Sequence, residues 1–205
     1  MTSPDHLLAG VSRETRLRLE VYISLLKKWN RTINLVSTTS IKDVWNRHVV
    51  DSAQLLEIAD VTVKSWADMG SGGGLPGLVV AILAADRLPN LKISLIEADQ
   101  RKCAFLLTVK QALALEVTIV PERIETCLPM NCDVISARAL APLDRLLSYS
   151  AIHLKKDGKS LFLKGRSYRS EIDEAQKNWN FVLTTHPSAT DANSVVLEIS
   201  KISHV

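Results

Sequence analysis

The sequence is poor in cysteine, and its three cysteines do not form a recognisable pair. Cys103, Cys127 and Cys132 are an odd number of thiols, and none belongs to a C-x-x-C motif. This pattern argues against a disulfide framework and against a zinc site. We therefore expect three buried, reduced thiols in a cytoplasmic protein that holds no metal.

Long apolar runs and an excess of one charge are also missing. No run approaches the roughly 20 residues that a helix needs to cross a bilayer, so no membrane association is expected. The first ten residues contain neither a basic segment nor a long apolar core, so a secretory signal is not expected either. The net charge is only +3, and any contact with nucleic acid therefore depends on local clusters of charge.

The spacing of apolar residues divides the chain into two parts. Residues 12–29 and 39–56 have apolar positions three and four apart, which predicts two helices. From Val61 short apolar runs alternate with helical segments, as in the βαβ units of a parallel sheet. We expect a helical extension over 1–60 and an α/β domain over 61–205 in one compact unit. The predicted strands are 63–69, 92–96, 117–121, 133–136 and 160–163. The predicted helices between and after them are 76–86, 100–114, a helix after Pro142 and 169–178. The runs 180–186 and 194–200 are expected to form a closing antiparallel hairpin.

A glycine-rich segment joins the first predicted strand to the next helix. Residues 67–77 have the sequence ADMGSGGGLPG, in which Asp68 ends the strand and Pro76 begins the helix. Glycine lets a ligand approach the main chain, and the helix N-terminus adds unpaired N–H groups and partial positive charge. The segment is therefore typical of the turn that binds a nucleotide-like cofactor in doubly wound α/β folds. A glycine-rich turn without a ligand is the alternative.

Polar side chains stand at the carboxyl ends of the other predicted strands, where ligands bind in such sheets. Glu97 follows the second strand, and its carboxylate suits the two hydroxyls of a ribose. Ile124 and Glu125 follow the third strand, where an apolar side chain can cover an adenine. Arg138 ends the fourth strand and Lys164 ends the fifth. Together these positions predict one binding site along this edge of the sheet.

Two further patterns allow more than one interpretation. Residues 72–77 match G-x-G-x-x-G, which also permits a dinucleotide oxidoreductase. Little sequence follows residue 165 for a catalytic domain, and no tyrosine has a lysine four residues later, so this alternative is weak. Arg47, His48 and Asp51 can share one helix face, either as an ordinary ion pair beside a surface histidine or as part of a site.

Taken together, these segments resemble the RsmG (GidB) family, bacterial methyltransferases that use S-adenosylmethionine to methylate N7 of a guanine, position 527, in 16S ribosomal RNA. The resemblance runs from Trp29 to about Gly165. Its landmarks are Asn34-Leu35, Arg47-His48-x-x-Asp51-Ser52, Asp68-x-Gly70-Ser71-Gly72-x-Gly74-Leu75-Pro76-Gly77, Glu97 with Lys102, Arg123-x-Glu125, Arg138-Ala139-x-Ala141-Pro142-Leu143 and Leu163-Lys164-Gly165. Gly73 and Ile124 differ from the residues that are usual in the family.

The resemblance implies a class I S-adenosylmethionine-dependent methyltransferase fold. This is a Rossmann-like, seven-stranded, mostly parallel sheet with an antiparallel C-terminal strand and an N-terminal helical extension. It implies three catalytic residues, Arg138, Asp51 and His48. The implied cofactor-binding residues are Asp68, Gly70, Gly72, Leu75, Glu97, Ile124, Glu125 and Arg138.

The resemblance also implies 16S ribosomal RNA in the small ribosomal subunit as the partner of a monomeric enzyme. Arg47, Lys164 and Arg166 are the candidate RNA contacts, and the basic residues between Lys155 and Arg169 are a candidate phosphate-binding cluster. A solvated surface segment is the alternative for that cluster. A methyltransferase with another acceptor, and a non-catalytic module that binds RNA or the ribosome, are the alternative functions.

Overall fold

The computed structural model describes residues 7, 8 and 10–205. Residues 1–6 and Ala9, which belong to the predicted N-terminal extension, lie outside the described residues. Helix α1 spans Arg13–Trp29, and the side chain of Ser12 caps it by accepting the N–H of Thr15. Leu19 and Leu26, two of the apolar positions of the sequence pattern, are buried, whereas Leu17 and Val21 of the same pattern are exposed. Tyr22, which the pattern did not include, is buried with the first two.

The second predicted helix is helical over most of its length, but the type of helix changes along it. It consists of a 3₁₀ turn at Ser40–Asp43, a π-helical segment at Trp45–Val50 and helix α2 at Asp51–Ile58. A π-helical turn inserts an extra residue into the helix, which rotates the side chains before it relative to those after it. The periodicity of the sequence does not reveal such a turn.

The sheet has seven strands in the order β3-β2-β1-β4-β5-β7-β6. Strand β7 runs antiparallel to both of its neighbours, and the pairs among β1 to β5 are parallel. This topology confirms the predicted fold class and the closing hairpin. The strands are β1 Ser65–Met69, β2 Lys92–Ile96, β3 Val117–Val120, β4 Cys132–Arg138, β5 Leu154–Lys164, β6 Trp179–Pro187 and β7 Val195–His204.

Two apolar cores lie on the two faces of this sheet. Alternate residues of β1 face opposite sides, so Trp66 packs in one core and Met69 in the other. The first core contains α1, α2, α3 (Gly77–Arg87) and α4 (Gln100–Ala112), and the second contains α5 (Leu143–His153) and α6 (Tyr168–Ala175). The N-terminal helices therefore pack on the same face of the sheet as α3 and α4.

Strand β5 is longer than the sequence predicted. It begins at Leu154, and its polar first half contains Lys155 and Lys159, which form ion pairs with Asp133 and Glu198. The three cysteines are buried and free, as expected from their spacing. No described helix is long and apolar enough to cross a membrane.

Candidate active site

The glycine turn is fixed by positive backbone angles and by hydrogen bonds to its neighbours. Gly70 has φ +64°, which strains any other residue, and a Cβ there would lie 2.5 Å from Cδ1 of Leu140, so that side chain would have to move. The N–H of Ser71 donates to the carbonyl of Ile96 at 3.0 Å, which ties the turn to β2. Tyr22 of α1 donates to the carbonyl of Gly73 at 2.6 Å. The N-terminal extension thus supports the turn directly.

Asp68 supports the same turn from below. Its carboxylate accepts the hydroxyl of Ser136 at 2.7 Å and the N–H of Gly77 at 3.1 Å. The side chain is fully buried, and this burial raises the pKa of Asp68 to about 6 despite the hydrogen bonds. The sequence predicts that Asp68 contacts a cofactor, but its side chain is fully buried beneath the turn. Gly72 and Leu75 do not line either of the two cavities described below.

A cavity of about 380 Å³ opens at the carboxyl ends of β1, β2 and β3. We call it the Glu97 cavity. Four predicted cofactor-binding residues line it together: Gly70, Glu97, Ile124 and Glu125. The other lining residues are Ile96, Ala98, Lys102, Glu122, Arg123, Ala139, Leu140, Ala141, Arg145 and Tyr149.

Glu97 is nearly buried at the base of this cavity and is held by the main chain. Oε2 accepts the N–H of Gly72 at 2.8 Å, and Oε1 accepts the N–H of Asp99 at 2.8 Å. A carboxylate oxygen can accept more than one hydrogen bond, so each oxygen keeps capacity for a ligand hydroxyl. The carboxylate is therefore oriented in advance for a group with two neighbouring hydroxyls.

The apolar wall opposite is held by a residue that sequence reasoning missed. His153 is fully buried at the end of α5, and its Nε2 lies 2.9 Å from the carbonyl oxygen of Ile124. Its Nδ1 lies 3.4 Å from the backbone nitrogen of Met130, which positions it to accept that N–H. These two contacts fix the loop after β3. Only the three-dimensional fold brings His153 to this loop, so the sequence pattern gave no signal of it.

A second cavity of about 720 Å³ lies next to the first, beyond the end of β4. We call it the Arg138 cavity. All three predicted catalytic residues line it: Arg138, Asp51 and His48. Ala139, Leu140 and Ala141 line both cavities, so this short loop is the partition between them. The other lining residues are Leu35, Val36, Ser37, Ser40, Arg47, Pro142, Leu163, Lys164, Gly165, Glu171, Thr190, Asp191, Ser194 and Val195.

Arg138 joins the end of β4 to the π-helical segment. Its Nη2 lies 2.5 Å from Nδ1 of His48, and its Nη1 donates to the carbonyl of Arg47 at 3.1 Å. Nη1 also lies 3.6 Å from Oδ2 of Asp51. The interpretation of this segment as an ordinary helix ion pair is therefore wrong, because the cation that pairs with Asp51 is Arg138. Arg138 does not line the Glu97 cavity, so its predicted contact with the cofactor is not supported by its position.

His48 is buried, and a surface position for it is also wrong. Burial lowers the pKa of His48 to about 3, and the positive charge of Arg138 acts in the same direction. The imidazole is therefore neutral at physiological pH. Burial raises the pKa of Asp51, while Arg138 and the hydroxyl of Thr190 oppose that rise.

Asp51 also fixes the turn between β6 and β7. Its Oδ1 accepts the hydroxyls of Ser188 and Thr190 at 3.2 and 3.1 Å, and the amide of Gln54 at 2.9 Å. Gln54 in turn accepts the N–H of Ala189 at 3.2 Å. The C-terminal hairpin thus forms a wall of the Arg138 cavity, a role that its sequence did not reveal.

The predicted RNA-contacting residues are separated in the structure. Arg47 is exposed and lines the Arg138 cavity, and Arg166 is exposed but does not line it. Lys164 faces inward instead, where its Nζ donates to the carbonyl of Ala141 at 2.8 Å and to Glu171 at 2.6 Å. It is therefore engaged in holding the partition loop.

The basic run from Lys155 to Arg169 is not one patch. Leu154 pairs with Cys132 and Leu163 pairs with Arg138, which are the two ends of β4. The seven residues of β4 span about 20 Å, so Lys155 and Lys164 lie near opposite ends of the strands. The expectation of a single phosphate-binding cluster over this run is wrong.

Comparison with known proteins agrees with this geometry. Residues 16–195 match the family model described as "GidB: rRNA small subunit methyltransferase G". A Ribosomal RNA small subunit methyltransferase G from Ruegeria sp. (strain TM1040) is 47% identical over 200 residues, which cover 98% of this chain and 97% of the relative. The protein of the same name from Cereibacter sphaeroides (strain ATCC 17025 / ATH 2.4.3) is 45% identical over 208 residues, covering all of both chains.

Solved structures share the fold at low sequence identity. A ribosomal protein L11 methylase from Lactobacillus delbrueckii subsp. bulgaricus has a TM-score of 0.58 at 18% identity, over 75% of this chain and 78% of that one. A TehB-like SAM-dependent methyltransferase from Corynebacterium glutamicum has a TM-score of 0.55 at 14% identity, over 74% and 86% of the two chains. These similarities confirm the predicted class of fold.

Proposed function

Because this chain belongs to the GidB family of ribosomal RNA small subunit methyltransferases, we propose that its acceptor atom is N7 of one guanine in 16S ribosomal RNA. It is an S-adenosylmethionine-dependent methyltransferase of the small-subunit ribosomal RNA. The observation that carries the proposal is the pair of adjoining cavities that share residues 139–141. A methyl donor in one cavity and a base in the other can meet only at this partition.

The Glu97 cavity fits the cofactor. Glu97 would accept the two ribose hydroxyls, since both of its oxygens are already oriented by main-chain N–H groups. Ile124 would cover the adenine, with Glu125 beside it, and Gly70 lines the part of the cavity where the methionine end would lie. When bound, S-adenosylmethionine supplies a methyl group on a positively charged sulfur. Asp68, Gly72 and Leu75 would act through the conformation of the turn.

The Arg138 cavity suits a base that reacts without losing a proton. Guanine N7 carries a lone pair, so the reaction needs orientation and not a general base. This agrees with a neutral His48 that is occupied by Arg138. Arg138 would position the base or a phosphate, and His48 would hold Arg138 in place. The charge of Asp51 on the cavity wall would offset the positive charge that develops on the guanine ring.

The shape of the site suits an RNA base that is turned out of its helix. N7 of a paired guanine lies in the deep, narrow groove of A-form RNA, which side chains do not enter. We propose that Arg47 and Arg166, both exposed, contact phosphates of the flanking strand. We propose Lys164 as an indirect contributor that keeps the partition loop in position for the RNA.

We propose that the enzyme acts as a monomer in the cytoplasm, where its ribosomal substrate is found. We also propose residues 1–60 as a helical extension of a catalytic domain at 61–205, in one compact unit. The packing of α1 and α2 on the core of the sheet supports that unit, as does the hydrogen bond from Tyr22 to the glycine turn.

The test uses small ribosomal subunits from a bacterial strain whose 16S RNA lacks 7-methylguanine. The subunits are incubated with the protein and labelled S-adenosylmethionine, and the labelled nucleoside is identified by mass. We expect label in 7-methylguanosine at a single position, and none with the Glu97→Ala variant. Label in a different nucleoside, or none with the wild-type protein although it binds the cofactor, would contradict the proposal.

A further inference from the structure

The turn between β6 and β7, residues 188–194, lies across the Arg138 cavity from the partition loop. Strand β6 ends and β7 begins at the edge of the sheet where β4 and β5 end, because β7 alone is reversed among its neighbours. In the strand order, β7 is two positions from β4 on the side away from β1. Two strand spacings are about 10 Å, which leaves room for one base between loop and turn.

Three carboxylates line this cavity, and two of them form ion pairs. Asp51 holds Arg138 through one oxygen and the hairpin turn through the other. Glu171 accepts Lys164 and the N–H of Leu143 on one oxygen, and the hydroxyl of Ser167 on the other. Neither can turn to a ligand without breaking a hydrogen bond that orders the cavity wall.

Asp191 is the third carboxylate, and it differs from the other two. It is half-buried in the wall, and its Oδ1 accepts the N–H of Asn193 at 2.9 Å. It forms no ion pair with any residue that the structure describes. The backbone N–H of Asn193 is the main cause that lowers the pKa of Asp191, and the side chains of Ser194 and Asn193 and the positive charge of Arg47 act in the same direction. The side chain is therefore ionised at neutral pH, and it lines the cavity.

We propose that Asp191 determines the specificity for guanine by accepting hydrogen bonds from N1–H and the N2 amino group of the target base. This inference rests on the proposed guanine acceptor. Guanine presents two donors side by side on this edge, which match the two oxygens of a carboxylate. Adenine has a bare nitrogen at N1 and no amino group at C2, so a carboxylate there repels it.

The arrangement of the cavity agrees with the geometry of the base. N7 and the N1–N2 edge are on opposite sides of a guanine ring. A base whose N7 faces the partition loop and the Glu97 cavity therefore turns its N1–N2 edge toward the β6–β7 turn, where Asp191 lies. The two requirements of the reaction, attack by N7 and recognition of guanine, are met by opposite walls.

The turn that carries Asp191 is ordered by its own hydrogen bonds and by Asp51. Ser188 Oγ accepts the N–H groups of Thr190 and Asp191 at 3.2 and 3.3 Å, and Ser194 donates its N–H to the carbonyl of Asp191 at 3.0 Å. Since Asp51 binds both Ser188 and Thr190, the network that holds Arg138 also positions Asp191.

The experiment compares small subunits reconstituted with guanosine or inosine at the target position. Inosine keeps N7, O6 and N1–H but lacks the N2 amino group. For the wild-type protein we expect kcat/KM for inosine about 10- to 100-fold below that for guanosine. Asp191→Ala should lower kcat/KM for guanosine by a similar factor and bring the ratio of the two substrates close to one. Asp191→Asn, which fills the same space, should also lose most of the discrimination.

Controls separate this inference from a loss of folding and from the proposed function. Asp157→Ala removes an exposed carboxylate at the opposite edge of the sheet and should keep the wild-type ratio. The Asp191 variants should bind S-adenosylmethionine as the wild type does. An Asp191 variant that keeps the wild-type ratio, or a wild-type ratio near one, would overturn the role of Asp191 while leaving guanine methylation intact. If neither substrate gave a 7-methylated product, the proposed function itself would be overturned.

Discussion

The guanidinium of Arg138 donates to Nδ1 of His48 across 2.5 Å. An arginine N–H can only donate, so Nδ1 is an acceptor and the imidazole carries its hydrogen on Nε2. Nε2 is buried, and the described part of the chain offers it no partner. The pair connects β4 with the π-helical segment. The geometry of the Arg138 cavity therefore depends on a contact between residues 90 positions apart.

Arg138→Lys tests whether the forked shape of this side chain matters beyond its charge. A lysine cannot reach His48, Asp51 and the carbonyl of Arg47 with one point charge. We expect kcat on small subunits to fall by about 100-fold. The Kd for S-adenosylmethionine should change by less than about threefold, because Arg138 does not line the Glu97 cavity. The matched control is Arg101→Lys on the exposed side of α4, and an equal loss of cofactor affinity and of kcat would contradict this separation.

His48→Gln tests the buried, neutral imidazole through the pH dependence of stability. The pKa of His48 is lowered from 6.5 to about 3 on folding, so its stabilising effect is complete above pH 6.5 and is lost as the pH falls toward 3. At pH 5 this protonation penalty is about 2 kcal/mol. Gln can still accept from Arg138 but does not titrate.

The measurement is urea unfolding of both proteins at pH 7.5 and pH 5. The free energy of unfolding of the wild type should fall on acidification by about 2 kcal/mol more than that of the variant. Equal losses would show that His48 titrates normally in the folded protein.

Glu97→Gln tests the proposal that the Glu97 cavity binds the cofactor. Its amide nitrogen would face one of the two N–H groups, of Gly72 and Asp99, that the carboxylate accepts. We expect the Kd for S-adenosylmethionine, measured by calorimetry, to rise by about 10- to 100-fold. Glu116→Gln, on an exposed carboxylate before β3, is the control. Unchanged affinity in Glu97→Gln would remove Glu97 from the cofactor site.

Features that depend on local sequence were predicted well. Strand β2 matches its predicted limits, and the glycine turn joins β1 to α3 as its composition required. The sequence placed Glu97, Ile124 and Glu125 together because the carboxyl ends of parallel strands share one edge, and in the structure the three line one cavity. Their contact with the cofactor stays a prediction.

Features that depend on distant partners could not be predicted. Lys164 was expected to contact RNA, but Glu171 on the next helix pairs with it. The sequence pattern did not show that the two side chains meet. The hairpin turn has no motif, and it becomes part of the site only because Asp51 binds Ser188 and Thr190. An ion pair such as Arg138–Asp51 follows from the folded backbone and not from residue spacing.

Asp68→Asn tests the opposite pH dependence beneath the glycine turn. Burial raises the pKa of Asp68 from 3.8 to about 6, so the folded state favours the protonated form. The contribution of the protonated Asp68 carboxyl to the free energy of unfolding is complete below pH 3.8 and is lost as the pH rises through 6. An asparagine can accept the N–H of Gly77 and donate to Ser136, and it has no charge to bury.

The free energy of unfolding of Asp68→Asn relative to the wild type should therefore improve by about 2 kcal/mol between pH 4 and pH 7. Paired urea titrations at the two pH values measure it, with Asp173→Asn on the surface of α6 as the control. A difference that stays constant with pH would mean that Asp68 ionises at its ordinary pKa.

The same pKa determines how cofactor binding depends on pH. With an ordinary pKa, the carboxylate beneath the turn is charged even at mildly acidic pH, and cofactor binding would be insensitive to pH between 5 and 7. If the raised pKa holds, cofactor binding should change over that interval in the wild type and not in the asparagine variant, because the same carboxylate supports Gly77 and the end of the turn.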